Sequence, residues 1–172
     1  HQRLQPGLDG GLRGGTVECG TAGWGSYNPE MRTWAGNVFR LIGEIDEQTA
    51  FHGKRSMRVE VVKGRAPVFM WDWFDLVEDE ILVPLVAHHG WLPVEKGVTY
   101  VASCALKADK PEVPVRIMAR ECERSRDKTV KAGTQWQRFS MTVKTGDDFA
   151  WIGVGPDLKS SDLDAATLWI DA

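Results

Sequence analysis

Short alternations of apolar and polar residues, each closed by a turn, recur along most of this chain. From Lys54 to Val62, Met57, Val59 and Val61 fall on one side and Arg58 and Glu60 on the other, the period of two that a half-buried strand requires. The same alternation predicts a strand over 99–107, with Tyr100, Ala102, Cys104 and Leu106 on one side. It predicts another over 114–122, with Val115, Ile117 and Ala119 inward. A further strand over 136–144 would bury Gln137, Phe139, Met141 and Val143. Segments 38–46, 149–155 and 167–171 complete the regular set. In the middle, Val68–Phe74 is dense in aromatic and β-favouring residues, and Ile81–Ala87 is an apolar run whose Pro84 suits an edge strand or a bulge. Segment 75–80 is acidic and reads as a solvated turn, and 20–29, with its glycines and Asn-Pro, as a loop. No stretch carries a 3.6-residue apolar repeat over three turns. The fold class that follows is all-β, a two-sheet sandwich or barrel.

With 172 residues the chain is long enough for one domain with a real core. Residues 1–15 hold five glycines and a proline without periodicity and read as a flexible arm or linker, leaving 16–172 as the folded module. The chain opens at His1 without a visible signal peptide and stops just after a strand signal, so it reads as part of a larger multidomain protein. A net charge of −3 offers no concentrated basic face for nucleic acid, and no apolar run is long enough for a transmembrane helix. Cys19, Cys104 and Cys122 are too few and too widely spaced for a disulfide framework.

Eight tryptophans shape the functional reading. Trp71 and Trp73 alternate with Phe69 on one predicted strand face, and aromatic faces stack on the C–H faces of sugar rings. The competing reading places the same pair in the core. Trp34 and Trp91 sit beside Gly36 and Gly90 in loop-like settings and are expected to be exposed, whereas Trp136 and Trp169 read as framework. Opposite Val115 and Ile117, the strand at 114–122 presents Arg116, Met118 and Arg120, and neighbouring strands add Ser103, Arg138 and Ser140. Arginines and hydroxyls on a sheet face suit a sugar groove, since a guanidinium can bind vicinal hydroxyls or a uronate in a fork. An ordinary solvated face with cross-strand ion pairs is the alternative. Adjacent His88 and His89 point to opposite sides of a strand and would not chelate together. No carboxylate pair, nucleophile motif or phosphate loop stands out.

Several strings together resemble the β-jelly-roll carbohydrate-binding modules of the family 4/9/22-like type, within the galactose-binding-like superfamily. They are Gly-Lys-Arg-Ser-Met-Arg-Val (53–59), Lys-Gly-Val-Thr-Tyr-Val-Ala-Ser (96–103), Leu-Lys-Ala-Asp (106–109), Gln-Trp-Gln-Arg-Phe-Ser (135–140) and Leu-Trp-Ile-Asp-Ala (168–172). Val-Glu-Cys-Gly-Thr-Ala-Gly-Trp (17–24) is similar to the family's opening, with Val17 in place of an aromatic; the stretch 68–91 departs from it. The resemblance implies an antiparallel jelly-roll sandwich, secreted or cell-surface, that binds a polysaccharide or oligosaccharide and does no chemistry itself. It would target a linked catalytic domain, a glycoside hydrolase or polysaccharide lyase, to its substrate. The binding residues expected are Trp34, Trp71, Trp73, Trp91, Arg116 and Arg120. A structural calcium is also implied, at Glu18 and Asp171, where two carboxylates with backbone carbonyls would supply hard oxygen ligands. Two rival readings are a ligand-free accessory sandwich bracing a neighbouring domain, and a jelly-roll lyase or hydrolase. Arg-Glu-Cys-Glu-Arg (120–124) echoes the arginine- and glutamate-bearing strand of jelly-roll alginate lyases, but the Gln-x-His element and Tyr-rich strand those enzymes need are missing.

Overall fold

The alternating segments become strands in a computed structural model that describes residues 24–27, 43–62, 68–69, 76–77, 85–88, 92–121, 124–159 and 161–171. Among the described residues the strands are β1 (Trp24–Tyr27), β2 (Gly43–Asp46), β3 (Ser56–Val62), β4 (Val68–Phe69), β5 (Leu76–Val77), β6 (Leu85–His88) and β7 (Leu92–Pro93). They continue with β8 (Thr99–Ala108), β9 (Val113–Arg120), β10 (Ser125–Ala132), β11 (Gln137–Lys144), β12 (Phe149–Pro156) and β13 (Ala165–Asp171). One sheet has the order β1-β6-β12-β9-β10, with β7 beside the start of β12. The other has the order β11-β8-β13-β3-β2, and β4 and β5 form a small separate pair. Every pairing is antiparallel.

From β8 onward the chain passes from one sheet to the other at each connection except the β9–β10 hairpin, the jelly-roll wiring expected from the sequence. The core lies between the layers. Met57, Val59, Leu106, Met141 and Leu168 enter it from one sheet, and Val113, Val115, Ile117 and Val154 from the other. Each such side chain contributes roughly 1.5–3 kcal/mol on burial. The turn between β8 and β9 carries Glu112 at φ 61°, and the 95–98 turn uses Gly97 at φ 82°. There Thr145 closes the loop, its N–H on the Val98 carbonyl at 3.0 Å and its own carbonyl taking the Gly97 N–H at 2.9 Å.

Four expectations are corrected. Residues 24–27 lie in the predicted loop yet form a strand, because β6 supplies its hydrogen-bond partners. Leu76–Val77, read as part of a solvated turn, pairs with β4. Ser125–Ala132, not read as a strand at all, is β10, hydrogen-bonded along its length to β9. Its position at the sheet edge explains the missing alternation: charged Arg126, Lys128 and Lys131 face water there, as edge strands commonly do. Gln137 is also exposed rather than buried. Residues 1–15, the predicted arm, lie outside the described residues.

Candidate functional site

Since Val115, Ile117 and Ala119 of β9 point into the core, the residues between them face outward, and the register extends this alternation across the sheet. One outward row runs Gly25, Ala87, Gly153, Met118, Asp127 over five strands. A second row places Trp151, Arg120 and Ser125 side by side, and a third Gly155, Arg116 and Thr129. The middle row has no large side chain on its first three strands, and this low row across the strand direction is a candidate trough, with Gly153 and Met118 buried at its centre. At about 4.8 Å per strand the small-residue part spans roughly 10 Å. Met118 is only 2% exposed, although it faces away from the inter-sheet core. Ser125, Asp127 and Thr129 form a solvated polar margin at the β10 end.

Arg116 and Arg120 flank this row, both half-buried. The Arg116 guanidinium is committed: its Nη2 lies 3.0 Å from Oδ2 of Asp157 and its Nη1 3.7 Å from Oδ2 of Asp127. Its Nε also donates to the same Asp157 oxygen at 3.2 Å. Asp157 is 3% exposed, and its other oxygen accepts from the Lys159 N–H at 3.2 Å. The pair therefore fixes the orientation of Arg116 from behind.

Sequence reasoning placed Ser103, Arg138 and Ser140 with Arg116 and Arg120 in one groove. That is corrected: they sit on β8 and β11, on the outward face of the other sheet. Residues only one or two strands apart in sequence can share polar character and still belong to opposite layers. Conversely, Trp151 and the small-residue row of β1, β6 and β12 were missed. Glycine on a strand is a signal for close approach, but only register shows that Gly25, Ala87 and Gly153 align.

Trp34, Trp71, Trp73 and Trp91 lie outside the described residues, as does Glu18. Asp171 is buried at the end of β13, where its Oδ2 accepts the N–H of Phe51 at 2.8 Å and of His52 at 2.9 Å. Among the described residues no three of His, Cys, Asp and Glu gather as a metal cluster. Nor is any helix among them long and apolar enough to cross a membrane.

Neither a family model nor a curated protein sequence matches this chain. Solved structures do. The fold is similar to that of TmCBM61, solved in complex with beta-1,4-galactotriose, at TM-score 0.61 and 11% identity over 94% of this chain and 93% of that one. A CBM4 structure matches at TM-score 0.54 and 18% identity, covering 91% and 96% of the two chains. The CBM22-1 xylan-binding domain from Paenibacillus barcinonensis Xyn10C matches at 0.52 and 13% identity, covering 88% and 83%. At these identities the likeness is one of fold, and the chain has the jelly-roll β-sandwich that these carbohydrate-binding modules share.

Proposed function

We propose that this domain is a non-catalytic carbohydrate-binding module that holds a polysaccharide chain along the outward trough of the β1-β6-β12-β9-β10 sheet. The observation that carries the reading is the row Gly25, Ala87, Gly153, Met118, bordered by the Trp151–Arg120 row on one side and by Arg116 on the other. Small residues leave room for sugar rings, and the register puts in the neighbouring row a tryptophan, residue 151, and an arginine, residue types that stack on sugars and donate to hydroxyls or a uronate. Similarity in fold to a module solved with a galactotriose and to a xylan-binding domain adds support. Trp34, Trp71, Trp73 and Trp91 remain the proposed aromatic rim.

Such a domain acts by targeting. Tethered to a hydrolase or lyase outside the cell, it raises the effective concentration of substrate at that enzyme without chemistry of its own. A calcium ion held by Glu18 and Asp171 belongs to the same proposal. The described residues contribute one buried carboxylate to it, and Oδ2 of that carboxylate already serves two backbone amides, so the ion's role would be to join the chain's beginning to β13.

Affinity electrophoresis and calorimetry against galactan, xylan and β-glucan test the reading. Retention on at least one glycan is expected, weakened roughly tenfold by Trp151→Ala or Arg120→Ala. No retention on any neutral or acidic glycan would overturn it in favour of a bracing role, and release of reducing ends or unsaturated uronates would favour an enzyme. Chelation should lower the melting temperature, and an unchanged melt removes the calcium.

A further inference from the structure

The outward face of the second sheet carries a different group of residues. Asp171 pins the 51–52 backbone through two amide hydrogen bonds, and the Phe51 ring so held is 41% exposed. Trp136 lies beside it with ring centroids 6.1 Å apart and planes inclined at 56°. The Trp136 indole N–H is fixed by Oγ1 of Thr49 at 3.2 Å. The Arg138 guanidinium lies 5.1 Å from the Phe51 centroid and makes one long hydrogen bond, 3.4 Å to Oγ of Ser103. Ala105, opposite Arg138 in the register, is fully buried.

Charge singles this patch out. Elsewhere on the same sheet cations meet carboxylates: Arg58 with Glu44 and Glu60, Arg55 with Glu47, Lys110 with Asp109. Around Phe51 and Trp136 they do not. Lys107 sits 5.3 Å from the Trp169 ring and 3.3 Å from Oγ1 of Thr49, and Nζ of Lys128 donates to the Ser140 carbonyl at 2.7 Å. Among the described residues neither lysine nor Arg138 has a carboxylate partner. Two cations without a salt-bridge partner, Arg138 and Lys107, therefore stand beside a tilted aromatic pair whose backbone rests on the buried Asp171 carboxylate.

We propose that this patch is a second saccharide site, on the sheet opposite the trough, and that its ligand is a uronic-acid-bearing chain. A pyranose ring lies against Phe51 and Trp136 through its C–H face. Its carboxylate meets the forked N–H donors of Arg138, with Lys107 adding to the local positive potential. Ser103 and Ser140, paired in the register beside Arg138, face the remaining hydroxyls. The site would let one module grip two chains, or two stretches of one acidic chain, at once.

The test is calorimetry of the full chain with oligogalacturonates and with the same oligomers after reduction of their carboxyl groups. Binding to the acidic form is expected to weaken at least roughly tenfold in Arg138→Met and in Phe51→Ala, and to fall as salt is raised. The loss on Arg138→Met should be as large in a Trp151→Ala background as in the parent, which separates this site from the trough. Thermal melts check that the exposed Arg138→Met and Arg138→Glu variants stay folded. Equal affinity for acidic and reduced oligomers, loss on Trp151→Ala rather than on Arg138→Met, or no binding of the acidic oligomers would each overturn the proposal. Capture of an acidic protein surface in their place, abolished by Arg138→Glu, would reassign the patch to a protein partner.

Discussion

Arg116 reaches behind the trough to the nearly sealed carboxylate of Asp157, joining β9 to the end of β12 with Nη2 and Nε at 3.0 and 3.2 Å from one oxygen. Arg116→Ala strands that carboxylate in the interior. The expected cost is about 3–5 kcal/mol in a chemical-denaturation experiment, because an unpaired buried charge loses its partner without regaining water. Asp157→Asn should cost less, since the amide oxygen still accepts. A cost below about 1 kcal/mol for Arg116→Ala would show that the pair adds little.

Acid should loosen the β2–β13 side through Asp46. Burial pushes its carboxyl up, but the Trp169 indole N–H, the amides of Gln48 and Thr49 and the charge of Arg58 together hold it below the ordinary 3.8. Oδ2 of Asp46 accepts from Nε1 of Trp169 at 2.7 Å. A lowered folded value means that the stabilisation is fully present above the unfolded value and is lost as pH falls through the folded one. The melting temperature of Asp46→Asn should thus lie below that of the parent near pH 7, with the gap closing as pH falls below 3.8. A gap independent of pH would contradict this.

Cys104 should be inert in the native protein. Burial raises its thiol from 9.0 to about 12 against a small opposing pull from Arg138. In a Cys19→Ser, Cys122→Ser background, thiol reagents near pH 8 should label it only on unfolding. The sign of its linkage follows: the stabilisation is whole below pH 9.0 and is lost as pH rises towards about 12. Rapid native labelling would show the β8–β11 seam to be open.

Glu121 ends β9 and turns inward, where its Oε1 takes the Gly146 N–H at 2.5 Å and its Oε2 has no hydrogen-bond partner. A Cβ at position 146 would sit 2.7 Å from Nη1 of Arg124, a side-chain end free to shift, and 3.1 Å from that second oxygen. Glu121→Ala should cost roughly 1–3 kcal/mol by orphaning the Gly146 amide. Glu121→Gln keeps the acceptor, removes an incompletely satisfied charge, and should melt at or above the parent temperature. The opposite order in thermal melts would mean that the charge itself is needed.

Strands with one face against the core were readable because burial enforces a period of two. Val59, Leu106, Ile117 and Leu168 announced their elements for that reason. β10 was not readable, because an edge strand exposed on most of its length has no apolar side to declare. The arginines of β9 were found, since their alternation with Val115 and Ile117 sets their side of the sheet. Their company was not: Arg138 and Ser140 alternate just as cleanly and lie on the other layer.

The order of residues by itself determined an all-β body and which side of each central strand would be dry, both consequences of local geometry acting within a few residues. Which strands became neighbours was decided only by the folded chain, because hydrogen-bonded pairing joins segments far apart in sequence. Gly25, Ala87 and Gly153 meet in one row through that pairing, and Phe51 comes to lie beside Trp136 because Asp171, more than a hundred residues away, holds its backbone.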